Sequence, residues 1–66
     1  MEEDLTVKTL WKVTVNSLFP NDKRLEMIFE GYYPSEKAAC AAALYKEAID
    51  HGGSTIPTIV KVEQSD

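Results

Sequence analysis

SEKAACAAALYKEAIDHGG, running from Ser35 to Gly53, decides how the rest of this 66-residue chain is read. Ser35 carries a hydroxyl able to accept an orphan N–H of a first helical turn. Glu36 suits the positive end of the helix dipole, and the six alanines between 38 and 48 have the highest helix propensity available. Gly52-Gly53 supplies a left-handed exit. The stretch predicts a single helix of about four turns. At about 100° per residue, Ala38, Ala41, Ala42, Tyr45, Ala48 and Ile49 share a face, with Glu36, Ala43, Glu47 and Asp50 opposite. The apolar set is expected to lie on a sheet, close to it because alanine is thin.

Outward from the helix, the chain alternates. Leu5 to Leu18 is rich in Val and Thr and reads as a long strand, with Val7, Thr9, Trp11, Val13 and Val15 toward the core and Lys8, Leu10, Lys12, Thr14 and Asn16 away from it. Phe19-Pro20-Asn21-Asp22-Lys23 is a turn, because Pro ends pairing and Asn and Asp satisfy their own backbone in tight bends. A second strand follows from Arg24 to Tyr33, with Leu25, Met27 and Phe29 inward and Glu26, Ile28, Glu30 and Tyr32 outward. Pro34 stops it. After the helix, Thr55 to Gln64 is a third strand, in which Ile56, Thr58, Val60 and Val62 alternate with Pro57, Ile59, Lys61 and Glu63. Pro57 cannot donate to a ladder, which argues for an edge.

The order β-β-α-β implies a two-layer α+β domain. The crossover should be right-handed and place the third strand parallel to the second, and the simplest sheet then has the first strand in the centre. The expected sheet is three-stranded, of antiparallel type, in order 2-1-3, with one helix on one face. Its expected core is Trp11, Val13, Phe29, Tyr45, Ile49 and Val60. Residues 1–66 are read as one domain, with 1–4 as a short acidic lead.

Eleven acidic against seven basic residues leave a net charge of −4, with a single arginine. Direct nucleic-acid binding is not expected, because phosphate contacts need clustered Lys and Arg. A basic partner is compatible with this balance, although it also serves solubility alone. One cysteine excludes an internal disulfide and fits a reducing compartment. No apolar run approaches the roughly 20 residues of a membrane span, and the start MEEDLTVK is acidic where a secretory signal is basic. A cytoplasmic location is expected.

Little in the sequence points to catalysis. His51, the single histidine, falls at the helix end and reads as a capping or surface residue. Cys40 lies about three turns, or roughly 16 Å, from it along the axis, too far for a nucleophile–base pair. No Asp/Glu/His set has a liganding spacing, so no metal and no cofactor are expected. Gly52-Gly53 follows a helix rather than opening one, and so is no phosphate loop. The chain is read as a non-enzyme.

What remain are two surfaces. Glu36, Glu47 and Asp50 are expected to form a stripe of carboxylates on the exposed helix face, extended by Glu2, Glu3 and Asp4 ahead of the first strand. Such a stripe is a solvated helix face or an imitation of DNA phosphates. The sheet face away from the helix is expected to carry Leu10, Ile28, Tyr32 and Ile59 among lysines and glutamates. That face is either solvated, with cross-strand Lys–Glu pairs, or a self-association or partner surface.

In size, charge and element order the chain resembles the small acidic host-takeover proteins that bacteriophages make early in infection. Its layout is similar to a short phage inhibitor of bacterial RNA polymerase. The matching parts are the Trp-led strand Leu10-Trp11-Lys12-Val13-Thr14-Val15, the capped Ala-rich helix opening Pro34-Ser35-Glu36-Lys37-Ala38, and the Val-rich last strand from Thr58 to Glu63. The resemblance implies an inhibitor acting in the host bacterial cytoplasm. The leading expectation is a DNA mimic covering the DNA-binding surface of a basic, nucleoid-associated (HU-like) host protein through Glu36, Glu47, Asp50, Glu2, Glu3 and Asp4. The alternatives are a polymerase inhibitor acting through the sheet edge and open face, and a homodimeric structural module.

Overall fold

A computed structural model describes residues 9–64. Strand β1 is Thr9–Leu18, β2 Arg24–Tyr33, helix α1 Glu36–His51 and β3 Ile56–Gln64. The sheet order is β2-β1-β3, with β1 antiparallel to both neighbours, so the two-layer α+β arrangement is as the alternation implies. The expected start of the first strand at Leu5 lies outside the described residues.

Local chemistry accounts for the joints. In the hairpin, Phe19 N–H donates to Lys23 O at 2.8 Å and Asp22 N–H to Phe19 O at 2.9 Å. Asp22 takes the left-handed conformation (φ 68°), which a short polar side chain tolerates, and Asn21 Oδ1 accepts from Lys23 N–H. Ser35 Oγ accepts from Ala38 N–H at 3.1 Å, closing the first turn of α1. Gly52 (φ 63°) ends the helix, its N–H bonded to Ala48 O.

Val13, Val15, Ala39 and Ala43 form the buried centre, with Trp11, Phe29, Tyr33, Ile59 and Val62 packed around it. Trp11 satisfies its indole by donating to Tyr33 O at 3.1 Å. Gly31 stands opposite Trp11, and a Cβ there would come within 2.8 Å of the Tyr33 ring, which lies over it.

Two expectations fail, each for a physical reason. The first concerns how α1 is turned. Its buried residues are Ala39, Ala43 and Glu47, while Tyr45 and Ile49 are 68% and 61% exposed. With alanines spread round more than half of its circumference, α1 has little apolar contrast from side to side. The small Ala39 and Ala43, at i and i+4, let α1 lie close to the sheet, and Glu47 continues the same row one turn on. The second concerns β3. Val15 stands opposite Ile59 and Thr14 opposite Lys61, so Val60 is an extra residue between them. Such a bulge reverses the alternation. Ile59 therefore faces the core and Val60 the open side, where it is 57% exposed. Tyr45, Ile49 and Val60 thus leave the expected core, and Ile59 leaves the expected open face.

Candidate interaction surface

Glu47 does not belong to a surface stripe. It is 1% exposed, and the hydroxyls of Ser17 (2.7 Å) and Thr55 both donate to its Oε2. Ser17 is itself fully buried, at the end of the inward run Val13, Val15, Ser17 on β1. Thr55 follows the left-handed exit of α1 and enters β3. The inward serine was the signal in the sequence: a hydroxyl at a core position needs a polar partner.

Next to this cluster, His51 is half-buried and not merely a surface cap. Its Nε2 lies 3.2 Å from Met27 Sδ, and its ring meets Phe19 edge-on at 4.9 Å. Burial pushes the Glu47 carboxyl up. The hydroxyls of Thr55 and Ser17, then the charge of His51, outweigh this, and Glu47 titrates below the ordinary glutamate range. A group with a depressed folded pKa adds stability above its unfolded pKa, and that stability is lost as pH falls through the folded value. Urea unfolding from about pH 7 to about pH 3 is therefore expected to show stability falling with acid, and Glu47→Gln to flatten part of that slope. A Glu47→Gln slope equal to the wild type would remove Glu47 from the acid response.

Ser17 has no access to solvent, and its proton is committed to Glu47, so this cluster is a structural lock with no exposed nucleophile. Cys40 is half-buried, and its thiol is pushed up by burial and then by the charge of Glu36, which keeps it in the less nucleophilic protonated form. Among the described residues, no group of three His, Cys, Asp or Glu stands ready for a metal, and no helix is long and apolar enough to cross a membrane.

With Glu47 inside, the acidic array breaks up. Glu36 and Asp50 are exposed but sit fourteen residues apart, roughly 21 Å along the axis, with Lys37 and Lys46 also exposed on the helix. Across the described residues, the carboxylates other than Glu47 are Asp22, Glu26, Glu30, Glu36, Asp50 and Glu63. They are matched one for one by Lys12, Lys23, Arg24, Lys37, Lys46 and Lys61. Glu2, Glu3 and Asp4 lie outside the described residues.

The open face of the sheet is a different surface. Ile28 and Tyr32 on β2 are 60% and 65% exposed, and Ile56 and Val60 on β3 are 65% and 57% exposed. Leu10, half-buried, stands opposite Tyr32 on β1. Asn16, Leu18, Arg24, Ile56, Thr58 and Val60 line a groove of about 260 Å3 on this face. An adjoining hollow of about 350 Å3, sharing Leu18 and Ile56, wraps round the hairpin end. Among the described residues, Lys12 pairs across strands with Glu30 at 3.9 Å, and Lys61 pairs with Glu63 along its own strand at 3.0 Å. The face thus combines apolar side chains with mixed charges that nearly cancel. The outer side of α1 adds a smaller apolar stripe, Tyr45 and Ile49. Comparison with known protein families, curated proteins and solved structures finds no match to this chain.

Proposed function

We propose that this chain is a small, non-catalytic binding protein that engages a protein partner through the uncovered face of its sheet. The observation that carries the reading is the exposure of Ile28, Tyr32, Ile56 and Val60 on a single face, beside a groove, in a domain whose helix covers only the other face. Apolar side chains grouped among polar ones are the usual composition of a protein interface. The resemblance to early phage proteins points to a host bacterial protein as the partner. RNA polymerase fits an apolar, charge-balanced surface better than a basic nucleoid protein does, since DNA mimicry needs a continuous acidic array and the described surface carries equal numbers of both signs.

The test is capture of partners from bacterial lysate at low and at moderate salt with three forms of the tagged chain. Ile56→Lys with Val60→Lys is expected to weaken capture by about tenfold or more, as loss of central apolar contacts does, while Glu36→Lys with Asp50→Lys leaves it intact. Wild-type capture is expected to survive moderate salt, because burial of apolar surface is little screened. A basic DNA-binding protein released by salt, and lost only in the Glu36→Lys/Asp50→Lys form, would overturn this reading in favour of mimicry.

A further inference from the structure

The two edges of the sheet differ in kind. β3 is interrupted by Pro57 and by the bulge at Val60, both of which discourage pairing with another chain. β2 has neither. Its ten residues pair with β1 in an unbroken register and leave a straight, ten-residue edge.

The hairpin tells which residues present that edge. Phe19 N–H donates to Lys23 O, so bonded pairs recur at every second step of the register, placing the backbone groups of Leu25, Met27, Phe29 and Gly31 toward β1. Arg24, Glu26, Ile28, Glu30 and Tyr32 point their N–H and C=O groups outward, and their side chains lie on the open face.

From this edge we infer that β2 pairs antiparallel with β2 of a second copy of this chain, with Met27 opposite Met27, making one six-stranded sheet. Among the registers that pair more than half of β2, charge selects one. A two-fold axis at Ile28 sets Glu26 against Glu30 of the second copy, twice over, and like charges directly opposite are unfavourable. An axis at Phe29 leaves Arg24 without an acidic partner across the seam. The axis at Met27 sets Arg24 against Glu30 of the second copy, again twice. Each Glu30 then stands between that arginine and its own Lys12, 3.9 Å away. On the helix side, the same register brings Leu25, which is 46% exposed, against Phe29 of the second copy. The pairing stands on the edge alone and does not depend on the proposed partner. Where both hold, it joins two open faces into a single surface.

Sedimentation equilibrium of the full chain tests this. The wild type is expected to be a concentration-dependent dimer. Arg24→Glu alone and Glu30→Arg alone each place like charges across the seam, and each is expected to raise the dissociation constant by about tenfold or more. Mixed in equal amounts, the two should pair with each other, because each then supplies the charge the other lacks. Ile28→Pro removes only an outward-facing N–H. It is expected to keep the monomer folded by circular dichroism while abolishing the dimer. A wild type that stays monomeric up to about 1 mM, where association would be worth no more than about 4 kcal/mol, would overturn the inference. So would an Ile28→Pro dimer as tight as the wild type, or a mixture no more associated than its components.

Discussion

Glu47→Ala is expected to remove about 2–4 kcal/mol of stability, the sum of a buried cavity and two hydroxyls left without their acceptor. Ser17 and Thr55 are 0% and 9% exposed, so water has little room to replace the carboxylate. A domain of this size holds about 0.05–0.15 kcal/mol per residue. The substitution therefore takes a large share of the whole, and the melting midpoint should drop by about 10–25 °C. Glu36→Ala and Asp50→Ala, on the exposed side of the same helix, should each stay within about 0.5 kcal/mol of the wild type. Thermal melts of the three variants provide the check: equal midpoints would mean that Glu47 is not buried. Glu47→Met combined with Ser17→Ala and Thr55→Val is expected to recover most of the loss. Replacing a whole buried polar group by apolar atoms of similar shape is far milder than removing one partner.

Ala43→Leu is the second large effect. Ala43 is 2% exposed and belongs to the centre formed with Val13, Val15 and Ala39, where α1 rests on β1. Three added carbon atoms have no space there, and either the helix lifts or its neighbours leave their rotamers. Overpacking of that kind costs about 1–3 kcal/mol. Tyr45→Ser and Ile49→Ser, on the outer side, should each change stability by no more than about 0.5 kcal/mol. The amphipathic reading of the helix gives the reverse ranking: an exposed, tolerant Ala43 and a core Tyr45 and Ile49 whose truncation costs about 2–5 kcal/mol. Urea midpoints for the three variants distinguish the two orientations of α1, and the alanine variant is informative only because the two orientations disagree on it.

Tyr45 and Ile49 are turned to solvent together with Ala41 and Ala48, while the open sheet face exposes Ile28, Tyr32, Ile56 and Val60 among the described residues. Of the two faces, the sheet has the grooves, and on the proposed reading these supply the means to choose among partners.

Everything decided by near neighbours in the chain was legible in the amino-acid sequence alone. Ser35 caps the helix through an N–H three residues on, Gly52 ends it, the Phe19–Lys23 turn closes on itself, and the alternation in β1 and β2 sets their faces. From those elements the order 2-1-3 followed as the simplest sheet, with β1 between the two strands that the helical crossover joins and Pro57 on an edge. The tertiary structure alone decided which way α1 turns, because six alanines leave little contrast around the helix and the choice falls to packing distance. It also decided the parity of β3, because an extra residue at Val60 is a property of the pairing with β1 and has no mark of its own in the strand. The burial of Glu47 belongs with these. Its acceptor role needs Ser17, thirty residues away in the chain, and Thr55, eight away, and only the folded sheet brings both hydroxyls to one oxygen.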